Sequence, residues 1–274
     1  KNYFLVALLT LFVTGVNAQF TDDMESYTDG SPIYQDWWTD WGCGGTCAVL
    51  SSSEHSQSGS LSGYVPDDGA TDGVLDLGNK IFGTWYLQFY MYVPANQEGY
   101  WNLQGTVPIG SGEWIMGNFF FNQDLLSPGM GSIDDCPGAP VSFTFPHDEW
   151  FEVMLAVDIS AGISAATCSL DIAGNNVLPA GTPFTDAAGT VPTSLGGIDF
   201  FSISANNKYW IDDFTYQDSP ISTGVNDFAS KGFSAYPNPV NNILNLQANE
   251  TINSVAIFNV LGQEVYSAKI GAMT

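Results

Sequence analysis

The segment Trp85-Tyr86-Leu87-Gln88-Phe89-Tyr90-Met91-Tyr92-Val93 alternates without a break, apolar at odd positions and Tyr or Gln at even ones. Side chains repeat every second residue only in an extended strand, so one face of this segment belongs to a core and the other does not. The same period runs through residues 113–121, where Ile115, Phe119 and Phe121 share a side. Further strands are expected at residues 47–52, 61–65, 74–77, 99–107, 141–145, 150–158, 166–172, 198–205 and 208–217. Turn formers such as Pro66-Asp67-Asp68-Gly69 and Pro128-Gly129 separate them. No segment after residue 18 carries the spacing of an amphipathic helix. The expectation is an all-β chain, with about a dozen antiparallel strands between residues 19 and 217 forming one two-sheet sandwich.

The first 18 residues read differently. Lys1 precedes an uncharged apolar run from Tyr3 to Val16, and Val16-Asn17-Ala18 places small residues where a signal peptidase cuts. The run is shorter than the roughly 20 residues a membrane-spanning helix needs. Residues 1–18 are therefore expected to be a cleaved signal peptide, and the mature protein to be exported without a membrane span. Export passes an oxidising compartment, which makes Cys43, Cys47, Cys136 and Cys168 an even set for disulfides. Three pairings exist. Cys43–Cys47 across Gly44-Gly45-Thr46 and Cys136–Cys168 across a long loop are favoured, the long loop adding about 3–5 kcal/mol. Zinc is not expected, because His55 and His147 stand in no ligand spacing with the cysteines.

Charge then removes whole classes of partner. The chain carries 29 acidic residues against five lysines, a formal net charge of −24, and no arginine. It cannot assemble the basic stripe that nucleic-acid binding needs, nor a guanidinium clamp for phosphate or carboxylate. Anionic lipid surfaces are disfavoured for the same reason. The acidity is localised: residues 19–217 hold 25 acids against Lys80 and Lys208, net −23, while the remainder from Asp218 holds four acids and two lysines. Residues 218–232 are small and polar and read as a linker.

Beyond the linker come Tyr236-Pro237-Asn238-Pro239, then Leu244-Asn245-Leu246, then Phe258-Asn259-Val260-Leu261-Gly262-Gln263-Glu264-Val265. In their order and spacing these segments resemble the type A C-terminal sorting domain of the type IX secretion system. That resemblance implies a small Ig-like β-sandwich over residues 233–274, contact with the type IX machinery, and release from or attachment to the outer surface of a Gram-negative bacterium. The family continues for about another strand pair past the region matching residues 269–274, so this copy is expected to be truncated. The passenger, residues 19–217, resembles concanavalin A-like lectin and glucanase jelly rolls more loosely. The segments that carry this are Asp22-Asp23-Met24-Glu25-Ser26-Tyr27, Trp150-Phe151-Glu152-Val153-Met154-Leu155-Ala156-Val157-Asp158 and Tyr209-Trp210-Ile211-Asp212-Asp213-Phe214. It implies a fold and leaves the activity open.

Two sites are candidates. First and last strands of such jelly rolls commonly pair, and many carbohydrate-binding members hold a structural calcium there. Asp23 and Glu25 lie on one strand face, whereas Asp212 and Asp213 are adjacent and diverge unless the strand bulges. Two carboxylates about 4 Å apart repel by roughly 4 kcal/mol, and a hard cation with oxygen ligands reverses that sign. Calcium held by Glu25 and Asp212 is weighed against solvated edge carboxylates. The second candidate is a polar-aromatic sheet face for sugars, which stack on rings and bond to neutral amides. Its members are Tyr86, Gln88, Tyr90 and Tyr92, then Tyr100, Asn102 and Gln104, then Trp114, Met116, Asn118 and Phe120. Trp37, Trp38 and Trp41 either extend this surface or cover the core.

Catalysis has less support. The Glu-x-Asp-x-x-Glu pattern of jelly-roll glucanases is absent, and Glu149 and Glu152, three apart, face opposite ways on a strand. Lyases that neutralise uronate with arginine are excluded by composition. Neither histidine has a nucleophile partner, and Gly-x-Ser-x-Gly does not occur. The expected function is a secreted or cell-surface carbohydrate-binding or adhesive module. The alternatives are a divergent glycoside hydrolase whose carboxylates are paired only by the fold, and a structural surface protein with no ligand.

Overall fold

The computed structural model describes residues 19–109, 117–221, 234–236, 243–248, 252, 254–258 and 263–269. The expected signal peptide, and Trp114 and Met116 of the expected sugar face, lie outside the described residues. The chain divides into two compact units, residues 1–221 and 222–274.

The first unit holds fifteen described strands. These are β1 (Phe20–Asp22), β2 (Trp38–Asp40), β3 (Leu50–Ser52), β4 (Ser62–Val65), β5 (Asp72–Lys80), β6 (Thr84–Tyr92), β7 (Gly99–Gln104) and β8 (Phe119–Phe121), then β9 (Met130–Ile133), β10 (Val141–Thr144), β11 (Trp150–Asp158), β12 (Thr167–Ile172), β13 (Asn175–Pro183), β14 (Leu195–Phe201) and β15 (Tyr209–Gln217). One sheet runs β13-β12-β11-β6-β15-β4-β3, with β1 also paired to β15, and the other runs β10-β9-β8-β7-β14-β5-β2. This is the all-β jelly-roll sandwich expected. Strands β1, β2, β9 and β13 carried no clear period: three of them span only three or four residues, and β13 contains Pro179, Gly181 and Pro183.

Alternation decides which side chains meet between the sheets. On β6 Leu87, Phe89 and Met91 are buried, and on β11 so are Phe151, Val153, Leu155 and Val157. They face Trp101 and Leu103 of β7, Phe119 and Phe121 of β8 and Ile198 and Phe200 of β14 within one core cluster. Aromatic packing dominates the centre, where Phe89 stacks on Phe214 at 5.2 Å and meets Phe200 edge-on at 5.6 Å.

Of the two expected disulfides, Cys43–Cys47 is present with its Cα atoms 5.8 Å apart. The Cys136–Cys168 bridge is corrected: both residues are buried thiols of the core cluster. Desolvation pushes Cys136 up to about 11 and Cys168 up to about 12, the latter helped by its neighbour Cys136. Exchange requires a thiolate, and a dry apolar setting suppresses it.

In the second unit β16 (Ser234–Tyr236) pairs with β17 (Asn245–Gln247), and β18 (Ser254–Phe258) pairs with β19 (Glu264–Lys269). The three motif segments of the tail thus supply two antiparallel pairs.

Candidate functional site

The site follows from register in the sheet that contains β7 and β14. Asp199 stands directly opposite Asn102, so their side chains share the face turned away from the core. Asp199 also lies opposite Val74, which puts Asp72, two residues along β5, diagonally beside it on that face. Tyr100 is two residues before Asn102 and faces Phe120 of β8, with Asn118 two further on. Phe201 stands opposite Asp72. Together these groups line a cleft of about 460 Å³, walled by Trp41, Tyr100, Phe120, Phe201 and Ile203 and floored by Asp72, Asn102, Asn118 and Asp199.

The floor is a connected polar network. Asn102 Nδ2 donates to Asp199 Oδ2 at 2.7 Å and to the Tyr100 hydroxyl at 3.1 Å. Gln104 donates to Asn102 Oδ1, and the Tyr100 hydroxyl donates to Asn118 Oδ1. Asn118 Nδ2 donates in turn to Asp134 Oδ1 at 2.8 Å. The side-chain amide of Asn102 and the phenol of Tyr100 are thereby committed to neighbours. Asp72 and Asp199 hydrogen-bond to one another. Burial raises both carboxyls above their ordinary range, and the charge of Asp72 raises Asp199 further, well above it. Two carboxyls side by side each oppose the other's ionisation. Oδ1 of each is buried without a donor from any other protein group.

One wall is set by the disulfide loop. Asp40 accepts N–H bonds from Gly42, Cys43 and Gly45 at 3.0, 2.9 and 2.7 Å, tying the loop that Cys43–Cys47 closes. Trp41 N–H then donates to the Asp72 carbonyl at 3.1 Å, which places the indole at the rim beside the acid pair. Asp40 and the two sulfurs lie within metal-binding distance of one another. Joined sulfurs are not thiolate ligands, so this grouping does not fit a metal.

The expected sugar face is split in two. Tyr100, Asn102 and Asn118 line the cleft, and Gln104 is buried beneath them in the same network. Tyr86, Tyr90 and Tyr92 do not join them, because β6 belongs to the other sheet and turns these residues outward there. Tyr92 stacks on His55 at 4.3 Å. The tryptophan cluster divides as well: Trp38 enters the core, Trp37 stacks on Phe20 at 4.7 Å, and Trp41 walls the cleft. Sequence reasoning missed Asp72, Asp199 and Phe201. The available signal was Ile198-Asp199-Phe200-Phe201, a carboxylate at an outward position of an otherwise apolar strand.

The four carboxylates expected to hold calcium do gather, around the loop of residues 56–61. The β15 register breaks between Asp212 and Thr215, and with Asp213 at φ 50° both aspartates turn toward that loop. Glu25 Oε1 accepts from Ser60 N and Leu61 N, Asp212 Oδ2 from Gln57 N, Asp212 Oδ1 from Asp213 N, and Asp213 Oδ1 from the Ser58 hydroxyl. Asp23 Oδ1 caps Glu25 N at 3.3 Å. Peptide N–H groups and the Ser58 hydroxyl hold both oxygens of Asp212 and one each of Glu25, Asp23 and Asp213, so neutral donors stabilise these carboxylates without a cation. Melting midpoints with calcium and with chelator are expected to coincide. A site filled at a hundred times its Kd would add about 2.7 kcal/mol, so a clear rise with calcium would restore the ion.

Residues 234–274 match the family described as the secretion system C-terminal sorting domain, as the motifs of the tail indicated. A tail of this kind implies secretion or attachment at the outer surface of a bacterium. No curated protein matches the chain. Among solved structures it is similar to the metal-free Emp46p carbohydrate recognition domain, with 10% identity over 70% of this chain and 95% of that one, at a TM-score of 0.40. It is also similar to the CBM22-1 xylan-binding domain of Paenibacillus barcinonensis Xyn10C, with 10% identity over 74% of this chain and 95% of that one, at a TM-score of 0.36. Trypanosoma rangeli sialidase gives 11% identity over 74% of this chain but only 30% of that one, at a TM-score of 0.44.

Proposed function

We propose that the first unit is a glycan-binding module, exported by the type IX route of its tail, and that the cleft over β7 and β14 is its binding site. The observation that carries this reading is a concave site with ring walls and a fixed polar floor. Rings offer flat apolar faces to sugar C–H groups, and a pre-ordered floor loses little freedom on binding. The acid pair does not have the spacing for glycoside hydrolysis. That chemistry needs two carboxyls about 5–9.5 Å apart with the sugar between them, whereas Asp72 and Asp199 are bonded to each other. Binding rather than cleavage is the reading these residues support.

A glycan array probed with the full chain, followed by titration of the retained sugars, tests this. Trp41→Ala and Phe120→Ala are each expected to weaken binding at least about tenfold, the effect of removing one ring anchor. Retention of no glycan, or unchanged affinity in both variants, would remove the cleft from consideration.

A further inference from the structure

The cleft also specifies how its ligand lies and which linkage that ligand carries, an inference that rests on the glycan-binding reading. Register places the rings of the cleft on one line. Phe120 of β8 stands opposite Tyr100 of β7. Asn102 stands opposite Asp199, which two residues along puts Tyr100 opposite Phe201 of β14, their rings 6.3 Å apart. Phe201 in turn stands opposite Asp72 of β5. Asp40 of β2 stands opposite Gly73, so the next pair is Trp41 with Asp72, joined by the Trp41 N–H bond to the Asp72 carbonyl. The row Phe120, Tyr100, Phe201, Asp72, Trp41 therefore crosses β8, β7, β14, β5 and the end of β2 at right angles to the strands.

Alternate members of this row are the ones a ligand can reach. Phe120, Phe201 and Trp41 are half-buried and border the cleft. Between them, Tyr100 is only 4% exposed with its hydroxyl committed to Asn102 and Asn118, and Asp72 carries no ring. Neighbouring strands lie about 4.8 Å apart, so accessible rings recur about every 10 Å. An extended β-1,4-linked chain of pyranoses turns each sugar over relative to the last. The same C–H face thus returns at every second residue, at a spacing close to this. An α-1,4 chain coils and a β-1,3 chain curves, so neither keeps equivalent faces on a straight line. The amides of Asn102 and Asn118 beside the row are committed to neighbours, which leaves the rings to decide the fit. Charge excludes a uronate chain. Asp72 stands within the row, while Lys80 Nζ lies over the Trp85 ring at 4.4 Å and Lys208 Nζ pairs with Glu54 at 3.7 Å.

We propose that the cleft binds a straight, neutral, β-1,4-linked glycan laid across the strands, with alternate sugars on Phe120, Phe201 and Trp41. Four strand intervals separate the first of these rings from the last, so the site spans about 19 Å and takes about five residues. Phe120 and Trp41 are its two ends, and Phe201 is its centre. A disaccharide covers one ring, a trisaccharide two and a pentasaccharide all three. Affinity therefore climbs with chain length and then stops.

The test titrates the full chain calorimetrically with cello-oligosaccharides of two to seven residues. Maltopentaose and laminaripentaose supply α-1,4 and β-1,3 glucose chains of equal length. Cellopentaose is expected to bind at least about tenfold tighter than either of these and than cellobiose, with no further gain beyond five residues. Trp41→Ala and Phe120→Ala should each abolish the gain from three residues to five, and Phe201→Ala should weaken both lengths. Circular dichroism of each variant checks that it is folded. Equal affinity for the three pentasaccharides overturns the linkage assignment while leaving glycan binding in place. A gain with length that survives in both end variants overturns it too, as does an affinity already complete at the disaccharide. Failure of all these chains to bind, while the array retains other glycans, overturns this inference alone. An empty array removes the glycan-binding reading with it.

Discussion

The first unit will lose stability as pH rises from about 4 to about 7, the reverse of the usual carboxylate behaviour. Asp212 is fully buried at the break in β15, and desolvation pushes it from an ordinary 3.8 up to about 7. N–H bonds from Gln57 and Asp213 hold it back only in part. A carboxyl with a raised folded pKa binds its proton more tightly in the native state than in the unfolded one. Its stabilising contribution is complete below the unfolded pKa and is lost as pH climbs through the folded one. At about 1.4 kcal/mol per pH unit, Asp212 alone accounts for roughly 4 kcal/mol across that window. Asp72, Asp76, Asp199 and Asp213, all raised chiefly by burial, act in the same direction. Asp68, Asp158 and Asp186 act oppositely. They accept N–H or hydroxyl bonds that lower them, so their contribution fades below about pH 4. Maximum stability should therefore fall near pH 4–5. All eight tryptophans precede residue 218, so their fluorescence follows this unit alone during urea titration. Asp212→Asn should flatten the profile above pH 5. A wild-type midpoint that stays level or rises between pH 5 and 8 would refute the account.

Trp101→Ala is expected to cost about 3–5 kcal/mol, the range for deleting a large buried aromatic. Trp101 has no exposed surface, stacks on Phe119 with centroids 3.7 Å apart, and meets Phe89 edge-on at 6.0 Å. Its indole N–H is buried without a partner, a standing cost of about 1–3 kcal/mol. Trp101→Phe keeps a ring against Phe119 and removes the orphan donor, so it should cost far less than the alanine change. Equal losses in the two variants would show that a phenyl ring here recovers nothing, and would overturn this account. Trp101 also sits between Tyr100 and Asn102, so the cavity left by alanine would loosen the cleft floor from behind.

The long strands were legible because each keeps one face in the core for its whole length. β6 and β11 read directly from their alternation, and β15 from its position before the polar linker. Short strands such as β1 and β2 were not, since three residues cannot establish a period. The site was legible only in part. Tyr100, Asn102 and Gln104 lie on β7 and Asn118 immediately precedes the neighbouring β8, close in sequence, so their shared face could be inferred locally. Asp72 and Asp199 come from β5 and β14 and meet only because β14 inserts between β5 and β7. No local pattern encodes that insertion. The same limit grouped the tyrosines of β6 with residues of the opposite sheet, because alternation gives a side chain's face but not which sheet owns the strand.

The strand order also dictates how this unit can emerge and close. β14 lies between β7 and β5, and β15 lies between β6 and β4, so the last two strands of the unit are interior members of the two sheets. Until residues 195–217 are available, each sheet is split into separate pieces with unpaired edges flanking the gap, and β1 has no partner strand. Folding must therefore wait for the final segment, and long-range pairing of this kind is slow. A chain threaded outward from its amino end would keep those edges open through nearly its whole passage. The sorting tail comes after the segment that completes both sheets, beyond residues 218–232, so the address becomes available only once the cargo is able to fold.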